Sequence, residues 1–426
     1  MDTNMVEAPP QKGPALFNRN FSLLLTGQIV SNLGTAVYMT AVIWYIMSTV
    51  GEGQGGKMVA AFSICSLLPM LVGGPLAGVL ADRWNRVLII AGSDLIRGIL
   101  FLLLAAATYL NIMPLVTLFG ITILASIVGS FFNPAVDASI PNMVGEHQLM
   151  KANSLNGMSR QLTFLIGAAL AGFLYNWVGI IGVFLINGIS FFLSGVSELF
   201  IRLPKRPKKP DNDGVKGYMR EFAEGLRYFR KDTVVMTMIA FVVILNFVFT
   251  PIFEVVFPKA MKFDLGMNVK QYGIMMAIAS VGGILGMLIL SIVTIKNRYK
   301  TVMLALFASV ISFTLFGVPL LEEIAGRLSV AMIFGIFGVL SIGVTTAVAF
   351  VNMPIMTSMQ LRIPDEYRAR FFGIMTTFAM AAAPLGAALM GVLVDIAPAA
   401  VLFFGGGAIC LIVCFWMLAK PALKKL

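Results

Sequence analysis

Long apolar runs punctuate the chain from end to end, at about 21–47, 58–80, 87–110, 114–135, 154–177, 180–201, 233–257, 271–294, 301–320, 328–351, 371–395 and 399–419. Each has the length, about 20 residues, that carries a helix across the hydrocarbon of a bilayer. A chain inside lipid must satisfy its own peptide groups, and for an uninterrupted apolar run only a helix does so. The expectation is an all-α membrane protein of twelve transmembrane helices. Composition agrees: 58% of the residues are hydrophobic and 12% charged, against about a quarter charged in a soluble domain. A net charge of +11 invites a nucleic-acid reading. The charges, however, sit in the gaps between apolar runs, so no nucleic-acid partner is expected; the partner surface is the lipid bilayer.

Lysine and arginine set the orientation. With the N-terminus in the cytoplasm, only Lys57, Lys259, Lys262, Lys270 and Arg327 fall outside. The inside then receives Arg83, Arg86, Lys151, Lys296, Arg298, Lys300, Arg362, Arg368, Arg370, Lys420, Lys424 and Lys425, together with the basic stretch 202–231. An even number of spans returns the C-terminus to the same side. Residues Met1 to Pro14 are polar and have neither the short apolar core nor the cleavage site of a signal peptide, so they are expected to be a cytoplasmic tail.

The longest hydrophilic stretch divides the chain into 1–201, 202–232 and 233–426: two six-helix units and a linker. The linker opens with Pro204-Lys205-Arg206-Pro207-Lys208-Lys209-Pro210, an extended basic segment. Met219, Phe222, Leu226 and Phe229 then recur at helical spacing, as in a helix on the inner membrane surface or a solvated linker helix. The two units look alike. Asn133-Pro134, Pro141 and Gly167 through Gly172 are echoed by Asn352-Met353-Pro354, Pro364 and Gly386 through Gly391. Two parallel repeats with a site between them near mid-membrane describe an alternating-access carrier.

Between the second and third runs stands Gly78-Val79-Leu80-Ala81-Asp82-Arg83-Trp84-Asn85-Arg86. So short a polar gap must be a tight turn at the membrane surface. Gly78 allows close helix approach. Asp82 can cap a helix or pair with an arginine, and Arg83 and Arg86 hold the loop inside. The stretch resembles the signature loop of the major facilitator superfamily, Gly-x-Leu-x-Asp-Arg-x-x-Arg. Asn85 stands where that pattern has a second glycine and is expected to take the same left-handed backbone. The corresponding Lys296-Asn297-Arg298-Tyr299-Lys300 has no acid.

More of the chain resembles the drug-exporter branch of that family, which holds macrolide efflux and enterobactin exporters. The carrying residues are Phe17-Asn18-Arg19-Asn20-Phe21 leading to Gly27-Gln28, then Pro141, Ala152-Asn153 and Leu155, and further on Tyr228, Pro258, Gly282-Gly283 and Pro384-Leu385-Gly386. The resemblance implies export of a hydrophobic or amphiphilic compound from the bacterial inner membrane, coupled to proton entry, with siderophore export or lipid flipping as variants on the same fold. Many relatives carry an acid after a glycine in the first span. Here Gly34 is followed by Thr35, which leaves coupling to Glu254 or to the inner acids.

Polar residues inside spans mark function or pairing. Glu254, beyond Pro251 in the seventh run, reads either as a proton-coupling or cation-binding acid or as an outer acid paired with Lys259 or Lys262. Asp94 and Arg97, three apart on one helix face, suit a gating ion pair. Asp137, Arg160 and Gln161 lie near the same inner ends. Gln28, Asn32 and Tyr38 in the first run, Asn187 in the sixth and Asn246 in the seventh are candidates to line a cavity or to bond between helices. Glycines at 73, 74 and 78, at 282, 283 and 286, and at 405–407 allow close packing. The chain has one histidine, His147, and no phosphate-binding loop, so neither an enzyme nor direct use of ATP is expected. Cys65, Cys410 and Cys414 lie in apolar runs without metal-ligand company. No cofactor is implied, and a monomer is the expectation. The rival class, a membrane-bound sensor, lacks a signalling domain.

Overall fold

The computed structural model describes residues 15–420, except 113, 146–147, 204–216, 294, 364 and part of 218–231. Within helices it describes no side chains at 74–83, 365–370 and a few neighbouring positions. The long elements are α1 (Arg19–Val50), α2 (Glu52–Arg83), α3 (Arg86–Tyr109), α4 (Pro114–Gly129), α5 (Phe132–Ser139) and α6 (Leu149–Glu198) in the first half. The second half holds α7 (Thr233–Pro251), α8 (Val269–Ile292), α9 (Arg298–Leu315), α10 (Val330–Arg362), α11 (Asp365–Leu393) and α12 (Ala399–Leu418).

Among the described residues ten helices are long and apolar enough to cross a bilayer. The α6 span is two passes, because Gly179 takes φ 66° and folds the chain back; only glycine enters that region without strain. The 32-residue α2 lies outside the ten, so twelve passes are accounted for. At 1.5 Å per residue α1 and α2 are each about 48 Å long, enough to cross the lipid and project beyond it.

Side chains start several of these helices by taking up free amides. Asn18 caps α1 at Phe21 N (3.1 Å). Asn268 and Gln271 form a reciprocal box on α8, and Ser329 caps α10. Asn85 caps α3 and Asn297 caps α9, the third pass of each half, so the internal repeat extends to its capping residues. Asn85 does so with φ −66° and ψ 111°. The left-handed backbone expected there is therefore wrong: the turn needs an extended cap, and only Trp84 and Asn85 lie between the helices. A second difference separates the halves. The chain breaks between α4 and α5 just before Asn133-Pro134, whereas α10 runs unbroken through Asn352 and Pro354.

The halves join along two matching seams. The second pass of each packs on the fifth of the other: α2 on α11, and α8 on the first part of α6. That exchange is what an approximate two-fold axis between like units produces. The expected glycines are used unevenly. A Cβ on Gly282 would meet Ile342 O at 2.6 Å, while Gly283 and Gly405 face open space. A dense aromatic core fills the second half, with Phe253, Phe257, Phe313, Phe316, Phe337 and Phe403 in mutual ring contact. In the linker, Phe229 is buried and packs against Phe371 at 5.5 Å. That part of the linker helix is thus docked on the protein instead of lying on lipid.

Candidate functional site

Two polar regions stand out, one at each end of the molecule and each built by several helices. At the end carrying Lys57 the halves are fastened together. Lys57 on α2 faces Asp395, beyond α11, at 3.5 Å. Lys259 approaches the same carboxylate at 3.6 Å and donates to Val394 O. The Asp395 side chain is 4% exposed. Lys262 donates to Trp44 O and Ser48 Oγ of α1, and its ammonium stands 5.1 Å over the Trp44 ring. Trp44 in turn stacks on Tyr272 of α8 at 5.9 Å.

Glu254 lies nearby in a π-helical turn, Ile252–Val256, that follows the proline-ended α7. It is part-buried and within electrostatic reach of Tyr272. The expected alternative, a pair with Lys259 or Lys262, does not form, since both lysines are engaged elsewhere. Asn246 donates to Val242 O of its own helix at 2.9 Å and, among the described residues, makes no inter-helix bond.

Toward the other end the first half encloses a cavity of about 280 Å³. Gln28, Asn32 and Tyr38 of α1 line it, as do Arg97 and Phe101 of α3, Thr122 and Ser126 of α4, Phe132 and Asn133 of α5, and Arg160 and Phe191 of α6. Tyr38 is 1% exposed, bonds Thr122 Oγ1 at 3.1 Å, and sits edge-on to Phe101 at 4.8 Å. Three of the five expected cavity residues are therefore brought together. Asn187 is buried beside Gly34 at the packed contact of α1 and α6 and does not reach the cavity wall. The lining is apolar rings interleaved with amides and hydroxyls; its charged members are Arg97 and Arg160.

Beneath that wall the expected Asp94–Arg97 pair forms. Asp94 is fully buried, with the Ser31 and Ser194 hydroxyls beside it; Ser31 Oγ donates to Gln28 O at 3.4 Å. The Arg97 guanidinium lies between two rings, 4.3 Å from Phe191 and 4.9 Å from Phe132. A residue that sequence reasoning passed over completes the group: Glu198, at the end of α6, fully buried and accepting from Ser194 Oγ at 3.3 Å. Asn187, Ser190, Ser194 and Glu198 recur along one face of that helix, a polar stripe in an apolar run that was the available signal.

Arg160 and Asp137 approach to 3.7 Å with both side chains well exposed. They belong to the same half and do not bridge the halves. Arg86 donates to Ala138 O at 2.6 Å, tying the α2–α3 turn to α5. Gly78, Asp82 and Arg83 lie in the last turns of α2, outside the described side chains. On the same end Arg362 closes on Asp232 at 2.9 Å, and Asp232 also caps α7. Burial alone would raise the Asp232 pKa. The Arg362 hydrogen bond and the Val235 and Val234 amides outweigh it and hold the carboxyl below its ordinary 3.8.

Two like helical units joined along matching seams, the first of them holding a cavity, define a polytopic membrane carrier. The chain belongs to the Major Facilitator Superfamily, whose model matches residues 24–354. It is 26% identical over 377 residues to macrolide efflux protein A of Streptococcus pyogenes, covering 88% of this chain and 89% of that one. It is 25% identical over 400 residues to the multidrug efflux pump Tap of Mycolicibacterium fortuitum, covering 91% and 90%. The chain spans about half of the MFS-type transporter YkuC of Bacillus subtilis, at 28% identity over 237 residues and 54% of each chain. The fold resembles the crystal structure of a bacterial homologue of the iron transporter ferroportin in its inward-facing state. That likeness has a TM-score of 0.70 and 13% identity over 94% of this chain and 99% of that one.

Proposed function

We propose that this transporter exports a hydrophobic or amphiphilic small molecule across the bacterial cell membrane in exchange for protons. The observation that carries the reading is the cavity itself, whose wall of rings, amides and hydroxyls suits a ligand part greasy and part polar. The macrolide and multidrug efflux relatives support the direction and the class of cargo.

In this reading both termini are cytoplasmic, and the Lys57 end faces outward and is shut. The units 1–201 and 233–426 rock about the seams, with 202–232 as the cytoplasmic tether. Opening outward breaks the bonds from Lys262 to α1 and from Lys57 to Asp395. Asp82, Arg83 and Arg86 latch the cytoplasmic side once it closes, and Gly78 lets the helices approach there. Protons enter either at Glu254 or at the acids of the first half. The protein works as a monomer.

The test is accumulation in cells that express the protein and in cells that do not. Labelled macrolide, a dye and a siderophore are compared, with and without an uncoupler. The reading expects lower accumulation of at least one amphiphile, restored by the uncoupler. Equal accumulation of all three in both cell types contradicts it.

A further inference from the structure

Arg97 is the sole described cation touching a pocket that holds two fully buried carboxylates, Asp94 and Glu198. Among the described residues, Asp94 Oδ2 and Glu198 Oε2 find no hydrogen-bond partner, and neither polar atom of the Gln28 side chain does. Among the described residues the neighbouring elements supply no further charge. From α1 come Gly27, Gln28 and Ser31; from α6 come Ser194 and Ser197 beside Glu198; from α5 comes Phe132. The next charged groups around the cavity, Arg160 and Asp137, are paired with each other. Two carboxylates against one guanidinium leave one surplus negative charge in a site that water does not reach. An uncompensated charge there is expensive. One added proton makes the group neutral.

The packing keeps the site dry. A Cβ on Gly98 would lie 2.9 Å from the Phe192 nitrogen and one on Gly195 2.9 Å from Ala91 O, so α3 and α6 meet almost backbone to backbone, while one on Gly27 of α1 would lie 2.8 Å from Ser194 Oγ. Arg97 connects this site to the cavity. It pairs with Asp94 below and lines the cavity wall above, between Phe132 and Phe191.

We propose that Asp94 and Glu198, with Arg97 between them and the cavity, form the proton-carrying site of this transporter, holding one proton shared by the two carboxyl groups. The shared proton leaves to cytoplasmic water when Arg97 swings toward one acid and water enters, and a proton taken from outside water replaces it before the pocket closes again. Arg97 thereby senses both the proton and whatever occupies the cavity. This rests on the proton-coupled reading above but places coupling in the first half instead of at Glu254.

The experiment compares full-length wild type, Glu198→Gln, Asp94→Asn and Glu254→Gln, each purified and reconstituted. Infrared spectroscopy at neutral pH reads the stretching band of a protonated carboxyl group shielded from deuterium exchange. Wild type is expected to show that band. Glu198→Gln and Asp94→Asn should each lose it, since the acid that remains pairs with Arg97 and ionises. Glu254→Gln should keep it. Helix content by circular dichroism confirms folding, and both single variants must lose the band, so a misfolded one cannot decide the result alone. In proteoliposomes, gradient-driven uptake of a labelled macrolide should fall to the uncoupled level in both cluster variants, while exchange of labelled for unlabelled macrolide persists. A band that survives in both cluster variants, or that vanishes in Glu254→Gln, overturns the assignment. If wild type moves no macrolide, the export reading fails for that cargo, and the infrared result still decides the proton site.

Discussion

Lys262→Ala should loosen the Lys57 end of the molecule. The ammonium donates to Trp44 O and Ser48 Oγ across the seam and lies over the Trp44 ring. A hydrogen bond from a charged group contributes about 1.5–3 kcal/mol, and a cation–π contact at a partly exposed site about 0.5–1 kcal/mol. Lys262 is half-buried, so the low end of the total applies, about 2 kcal/mol. Every one of these contacts joins α1 to the segment beyond α7, and none survives once that end opens. The loss therefore falls wholly on the closed form, and ~2 kcal/mol shifts the open-to-closed ratio about 30-fold. The Lys57–Asp395 pair contributes less, because Lys57 is 49% exposed. The reporter is a cysteine at Ala60, which is 3% exposed and abuts Gly391 across the seam. Cys65, Cys410 and Cys414 are replaced by serine. The rate of reaction with a membrane-impermeant maleimide follows the open population. It should rise about 30-fold in Lys262→Ala and by less in Lys262→Gln, which keeps a donor. An unchanged or slower rate in folded protein refutes the view that Lys262 holds the seam.

Three further outcomes are expected. Gly98→Ala drives a methyl into the backbone of α6 and should destabilise by about 1–3 kcal/mol, seen as a lower melting temperature in detergent. Gly283→Ala, with nothing within 4 Å, should not destabilise. Asp232→Ala removes the α7 cap, worth ~1 kcal/mol, and the Arg362 pair, worth at most about 1 kcal/mol. The Asp232 pKa is held below 3.8 in the folded protein, so its contribution is full above that pH and disappears as acid titrates it. Wild type and Asp232→Ala should thus differ in melting temperature at neutral pH and converge in strong acid. Asp82→Asn should slow macrolide uptake without lowering the melting temperature; wild-type turnover would remove Asp82 from the latch.

Much of the fold was legible because the bilayer imposes a length on each apolar run. The runs ending at 177 and starting at 180 bracket Gly179, where α6 folds back. Pro251, which cannot donate to the helix ladder, stands where α7 gives way to a π-helical turn. Asp94 and Arg97 were found by helical spacing alone, a local rule. What escaped depends on depth and on partners far along the chain. Glu198 ends an apolar run and reads as interfacial; only the close approach of α1, α3 and α6 buries it. Lys259 reads as a partner for Glu254 until the fold brings Asp395 to it. Asn246 reads as cavity-facing, but its amide turns back onto Val242. Analogy with the signature loop points to a glycine-like backbone at Asn85, whereas a two-residue gap requires an extended cap.

The central claim is outward movement of an amphiphile driven by protons. Uptake of labelled macrolide by inside-out vesicles containing the purified protein, with an acid interior, tests it most directly. The account predicts accumulation that collapses when an uncoupler equalises the pH. Uptake no greater than in protein-free vesicles, or uptake indifferent to the uncoupler, contradicts it.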